Sequence, residues 1–146
     1  MANPIYTARA TVIGGRAQGH GHSDDGKLDV QLRLPKEMDP ASDATGTNPE
    51  QLFAVGFAAC FESALGVIAR RQHEDVGEVS IQSSVAVLPV QGGAFKLDVE
   101  LAVTLPQLED ADKAKALVAA AHEVCPYSNA TRGNIEVRLS ANGQPV

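Results

Sequence analysis

Two sulfurs and one arginine are the groups in this chain whose types and settings could do redox chemistry. Cys60 and Cys125 are its only cysteines, too few for a disulfide scaffold or a four-cysteine zinc site. A cysteine pair in a reducing compartment raises the question of thiol catalysis. Cys60 falls in the middle of a long apolar stretch, where a free cysteine equally packs as a small hydrophobe. Activating it takes a cation brought from elsewhere, because the ends of its own helix are too distant to lower its pKa. Cys125 stands before Pro126, where a new helical turn begins. The unpaired N–H groups of such a turn favour a thiolate, although a small residue also fills a cap position there. Arg16 follows Gly14-Gly15: either it is a solvated turn residue, or the glycines bend the chain so that its guanidinium faces an anion. His20-Gly21-His22 reads as a polar turn without the further ligands a metal needs. Ser63, Ser128, His73 and His122 show no nucleophile–base spacing, and no glycine-rich phosphate loop occurs. Phe53, Phe57 and Phe61 recur every fourth residue, a helix ridge that serves as core or as an apolar surface for a hydrocarbon tail beside Cys60.

The elements that position these groups follow from periodicity. Ile5 to Ile13 alternates as a strand, Gly19 to Gly26 reads as a turn region, and Leu28 to Leu34 alternates as a second strand ended by Pro35. Residues 36–47, with Pro40 and Gly46, form a loop. Asn48 then caps a long helix with Pro49 at its first position, and Gln51 answers as in a capping box. Its stripe runs Leu52, Phe53, Gly56, Phe57, Cys60, Phe61, Ala64, Leu65, Ile68, while Ala54, Val55, Ala58 and Ala59 make the reverse side apolar as well. That pattern predicts a helix buried all round. Val79 to Val90 and Phe95 to Leu105 form a hairpin through Gly92-Gly93, Glu109 to His122 a surface helix, and Ile135 to Leu139 a last strand. Hairpin rather than crossover connections predict an α+β fold.

With 146 residues, 44% hydrophobic and 21% charged, the chain has the make-up of a single globular domain over 1–146 rather than a disordered segment. Its net charge of −6 and lack of basic runs argue against a nucleic-acid partner. The longest uncharged window, Val79 to Phe95, contains Pro89 and Gly92-Gly93, so no membrane span is expected. The start lacks a secretory layout, and the expectation is a cytoplasmic protein.

Thr47-Asn48-Pro49-Glu50-Gln51-Leu52-Phe53-Ala54 with Ala59-Cys60-Phe61, and Val124 to Asn134 (Val-Cys-Pro-Tyr-Ser-Asn-Ala-Thr-Arg-Gly-Asn), resemble the two signatures of the organic hydroperoxide resistance (Ohr) proteins within the Ohr/OsmC superfamily. Gly14-Gly15-Arg16 matches the position of that family's arginine. The residues after Arg16 depart from the family's usual acidic or small choice. The resemblance implies an OsmC-like fold, with antiparallel sheets around a long buried central helix in an intertwined homodimer. It implies a metal-free peroxidase acting on alkyl and fatty-acid hydroperoxides, with no bound cofactor. Cys60 would be the peroxidatic thiol, Cys125 the resolving thiol that traps its sulfenic acid as a disulfide, and Arg16 with Glu50 the activating network. Dihydrolipoamide or lipoylated proteins would be the reductant. A guanidinium about 4 Å from the sulfur is worth about 4 kcal/mol at an effective dielectric near 20, enough to keep a thiol mostly ionised at neutral pH before desolvation subtracts.

Helix geometry adds a constraint. Glu50 and Cys60 are ten residues apart, hence about 15 Å apart along one helix. If both serve one site, two such helices pack antiparallel near Val55 and Gly56 and each chain lends Glu50 to the other. The competing expectations are a non-enzymatic apolar-ligand module with structural cysteines, and a more general OsmC-like peroxidase.

Overall fold

The computed structural model describes residues 2–146, and the chain forms two compact units that divide between Leu52 and Phe53. In the first, β1 (Ala10–Ile13), β2 (His20–Ser23) and β3 (Asp29–Gln31) make an antiparallel sheet in the order β1-β2-β3, with Val12, Gly21 and Val30 in register. The strand expected from Ile5 is shorter, because β2 offers only four partners; Ile5 and Tyr6 lie exposed ahead of it. Part of the expected turn region is itself a strand. Gly21 lies between Val12 and Val30, and a Cβ there would meet their methyl groups at 3.4 and 3.7 Å, ordinary packing contact. The actual turn is tied by the Asp25 carboxylate, which accepts from Ser23 Oγ at 2.6 Å and from the Lys27 N–H at 3.0 Å.

Between β1 and β2 the chain makes one helical turn, α1 (Gly15–Gln18). Gly14 enters it with φ +82°, a conformation that side chains resist. Gly19 leaves it where any Cβ would lie 2.0 Å from the Gly15 carbonyl oxygen. These two glycines hold the turn that carries Arg16. After β3, Leu32 is buried, and backbone bonds from Arg33 to Thr47 and from Thr47 to Gln31, both 2.9 Å, draw the loop's end back to the sheet. This fixes the start of α2 (Pro49–Arg71). Asn48 Oδ1 accepts the Gln51 N–H at 2.8 Å, as a cap should. The Gln51 side chain, however, accepts from the Thr47 hydroxyl at 2.7 Å instead of returning to the cap.

In the second unit, Phe57, Phe61, Leu65 and Ile68 of α2 form a core with Val99, Leu101 and Val103 of β5 (Phe95–Thr104) and Leu117 and Val118 of α3 (Ala111–Val124). β4 (Ser80–Pro89) pairs with β5 over ten residues through the Gln91–Gly93 turn. Asp110 caps α3 by accepting the Lys113 N–H at 3.0 Å. The order β4-β5-β6-β7 includes β6 (Val137–Ala141) and β7 (Gln144–Pro145).

The fold is α+β, with one connection that differs from expectation. β6 runs parallel to β5, so α3 and α4 (Pro126–Thr131) form a crossover, and the sheet is mixed rather than wholly antiparallel. Within the single chain, α2 is covered on one side. Val55 is 71% exposed and Ala59 is open as well. By length and composition α2 could also cross a membrane, with a mean hydropathy of 2.0, but its large apolar side chains are core.

Candidate active site

Cys60 lies half-buried in the middle of α2, and Cys125 is fully buried at the α3–α4 junction. There Cys125 ends one helix and starts the next: its N–H donates to the Ala121 carbonyl and its carbonyl accepts the Asn129 N–H, each at 2.9 Å. The two thiols are unlinked, and Cys125 lies near enough to Cys60 to bear on its ionisation. Burial pushes the Cys60 thiol above its ordinary range, the backbone N–H of Tyr127 opposes this by donating to the sulfur, and the neighbouring Cys125 pushes it up further. One expectation changes here. The first free N–H of the α4 turn serves Cys60 rather than Cys125, so a helix terminus does reach the mid-helix thiol, but the terminus belongs to another helix. Within the unit, burial and Cys125 outweigh that N–H.

Tyr127 is a site residue with no visible sequence signal. Its ring packs against Phe53 at 6.0 Å and Phe57 at 5.7 Å between centroids. A Cβ on Gly56 would stand 3.0 Å from its hydroxyl oxygen. Gly56 therefore makes room for Tyr127 of its own chain. Phe57 and Phe61 are wholly buried, with Phe53 only partly so, so two members of the phenylalanine ridge back the site from the core.

His122 and Ser128 share a hydrogen bond of 2.8 Å, although six residues separate them. Ser128 is fully buried, so the pair braces the α3–α4 junction rather than meeting a substrate. The Arg132 guanidinium adds bonds to the His122 carbonyl at 2.7 Å and to Asn129 Oδ1 at 2.5 Å. Burial, and then the charge of Arg132, hold the His122 pKa below the usual histidine range against the weaker pull of Glu123. The unfolded chain thus binds a proton at a pH where the folded chain does not, so stability rises with pH across that window and is lost on acidification. The urea midpoint is expected to be lower near pH 5.5 than near pH 7.5, and His122→Gln should shrink that difference.

In the first unit, Arg16 Nη2 donates to Glu50 Oε2. Glu50 is the more enclosed partner, 17% exposed against 38% for Arg16, and it lies in the first turn of α2, where a carboxylate suits the helix dipole. Arg16 Nε is buried without a hydrogen-bond partner. The guanidinium therefore faces an anion, as one of the two sequence readings has it. His20 bonds Asp29 across the strands at 2.6 Å and lies 5.5 Å from the His22 ring, placing both histidines in sheet structure.

A groove of about 350 Å3 opens at Cys60, lined by Ser63, Ala64, Val67 and Arg71 of α2 and by Val124 and Pro126 on either side of Cys125. A thiol that opens on an apolar groove, with a second, buried thiol close behind it, can take part in oxidation and disulfide exchange.

The profile of the OsmC-like protein family matches residues 41–140. The organic hydroperoxide resistance protein of Xanthomonas axonopodis pv. citri is 49% identical over 144 residues, covering 96% of this chain and 99% of its own. The chain belongs to the organic hydroperoxide resistance family of OsmC-like proteins. Among Ohr structures, that of OhrB from Bacillus subtilis superposes with a TM-score of 0.84 at 46% identity, over 94% of this chain and 98% of that one. A protein of the family from Vibrio cholerae, crystallised with captopril in one of its active sites, gives a TM-score of 0.91 at 44% identity, over 99% and 96%. Both Ohr-like signatures of the sequence thus sit in a fold shared along almost the whole chain.

Proposed function

We propose that this protein is a thiol peroxidase that reduces organic hydroperoxides to alcohols, with Cys60 as the attacking sulfur and Cys125 as the resolving one. The observation that carries the reading is that Cys60 lines an apolar groove while Cys125, far from it in sequence, lies buried near enough to affect its ionisation. The Cys60 thiolate attacks the distal oxygen of R–O–O–H, the O–O bond breaks, and the alkoxide takes a proton and leaves as the alcohol. Sulfur is oxidised to a sulfenic acid. Cys125 then attacks that sulfur, an S–S bond forms and water leaves. A dihydrolipoyl dithiol, free or on a lipoylated protein, returns both cysteines to thiols by two exchanges and ends as its own cyclic disulfide. No bound cofactor takes part, and a reducing cytoplasm is the fitting compartment.

Because burial and Cys125 work against ionisation of Cys60, one N–H from Tyr127 needs a cation beside it. Arg16, oriented by Glu50, is the guanidinium we assign to that role. Ten residues along α2 separate Glu50 from Cys60 of the same chain, about 15 Å, so a second copy supplies the pair. The open Val55 and Ala59 face gives a homodimer its contact. The apolar groove wall favours an alkyl hydroperoxide over hydrogen peroxide.

The test is one equivalent of cumene hydroperoxide followed by peptide mass spectrometry without reductant, then turnover with dihydrolipoamide, thioredoxin or glutathione. A Cys60–Cys125 crosslink and preferred turnover with dihydrolipoamide are expected. Unoxidised sulfurs after the dose would overturn the reading and leave the ligand-binding module in its place.

A further inference from the structure

Resting on the peroxidase reading, we propose that Arg71 is a specificity-determining anion anchor, which makes the groove prefer hydroperoxides whose hydrocarbon chain ends in a free carboxylate. Cys60 and Arg71 are eleven residues apart, three helical turns within about 20°, so both lie on one face of α2, roughly 16 Å apart along its axis. Ser63, Ala64 and Val67 fill that face between them, and Val124 with Pro126 form the facing wall. The groove is thus apolar along its length, with a sulfur at one end and a guanidinium at the other.

The guanidinium is free to act. Among the described residues Arg71 is exposed and has no ion pair. The carboxylates that follow it in sequence are engaged elsewhere: Glu74 holds Lys113 Nζ at 3.1 Å, and Asp75 accepts the Gly77 N–H at 3.1 Å. Arg70 lies back over Gly66, with Nη1 3.4 Å from where a Cβ on that glycine would stand. Arginine also suits a carboxylate better than lysine does, because its planar fork donates to both oxygens at once.

The occupant that matches an apolar channel with a cation at its far end is an acyl chain with an anionic terminus. An extended chain advances roughly 1.2 Å per bond. The Arg71 side chain spans part of the distance, leaving roughly eight to thirteen bonds between carboxylate and peroxide. A hydroperoxyl group in the distal half of a long-chain fatty acid meets that spacing. One next to the carboxylate does not, and an esterified acid lacks the charge.

The experiment compares a long-chain fatty-acid hydroperoxide, its methyl ester and tert-butyl hydroperoxide on the full-length protein and on Arg71→Gln and Arg71→Lys. The native protein should favour the acid over the ester about tenfold in kcat/KM, mainly through KM, since the anchor binds ground state and transition state alike. Arg71→Gln should abolish that preference, Arg71→Lys should restore part of it, and tert-butyl hydroperoxide turnover should not change. Equal rates for acid and ester in the native protein, or a preference that survives in Arg71→Gln, would overturn the anchor. Should the native protein turn over none of the three, the peroxidase reading fails. The anchor then stands or falls on calorimetric binding of dodecanoate, which should weaken about tenfold in Arg71→Gln and with added salt.

Discussion

Cys60→Ser is expected to abolish hydroperoxide turnover, lowering kcat/KM by about a thousandfold or more, while the folded protein survives. The hydroxyl keeps the volume of the thiol but is a far weaker nucleophile at neutral pH. Cys60 is half-buried, at the edge of the core rather than filling it, so the urea midpoint should move little. Cys125→Ser should behave differently. It leaves the attacking sulfur in place, so a rapid first equivalent of alcohol should appear and further cycles should stall as oxidised Cys60 accumulates. Stopped-flow measurement of alcohol release, with the intact mass of each variant, separates the two. Equal loss of the first equivalent in both variants would remove the division of labour between the sulfurs.

Phe61→Ala should have the largest effect on stability, about 3–5 kcal/mol. The ring is wholly enclosed, its centroid 6.4 Å from that of His122, and its removal leaves a void between α2 and the helices behind the site. Set against a typical domain stability of about 5–15 kcal/mol, this is about a fifth of the total or more. The measurement is the shift in urea midpoint at unchanged slope. A small shift would mean that the ring lines an open channel instead of the core.

What was legible in the sequence was local. Asn48-Pro49 capped the helix, the spacing of Phe57, Phe61, Leu65 and Ile68 gave its core face, and Gly92-Gly93 marked the β4–β5 hairpin. Each depends on neighbours within one or two turns. Where long-range packing decides, the reading failed. β2 hides in a run of glycine and histidine, because its pairing with β1 and β3 rather than its own residue types makes it a strand. The parallel return of β6 depends on which edge of β5 is free, which no spacing records. Both cysteines were legible as residue types, and Arg16 as a guanidinium that faces an anion. The Tyr127 N–H was not, because any residue in that position donates from the backbone. The relation of Arg71 to Cys60 emerges only once Val124 and Pro126 close the opposite wall.

The position of the two sulfurs along the chain has a consequence for how long the molecule lasts. A bond between them ties off about 65 residues, which in the chain-entropy description disfavours the denatured ensemble by about 4 kcal/mol. Oxidation would then make the protein harder to degrade, and reduction would return it to ordinary turnover by proteases. Under peroxide the cell would retain its stock of this protein without new synthesis, and would lose it again once reductant prevails.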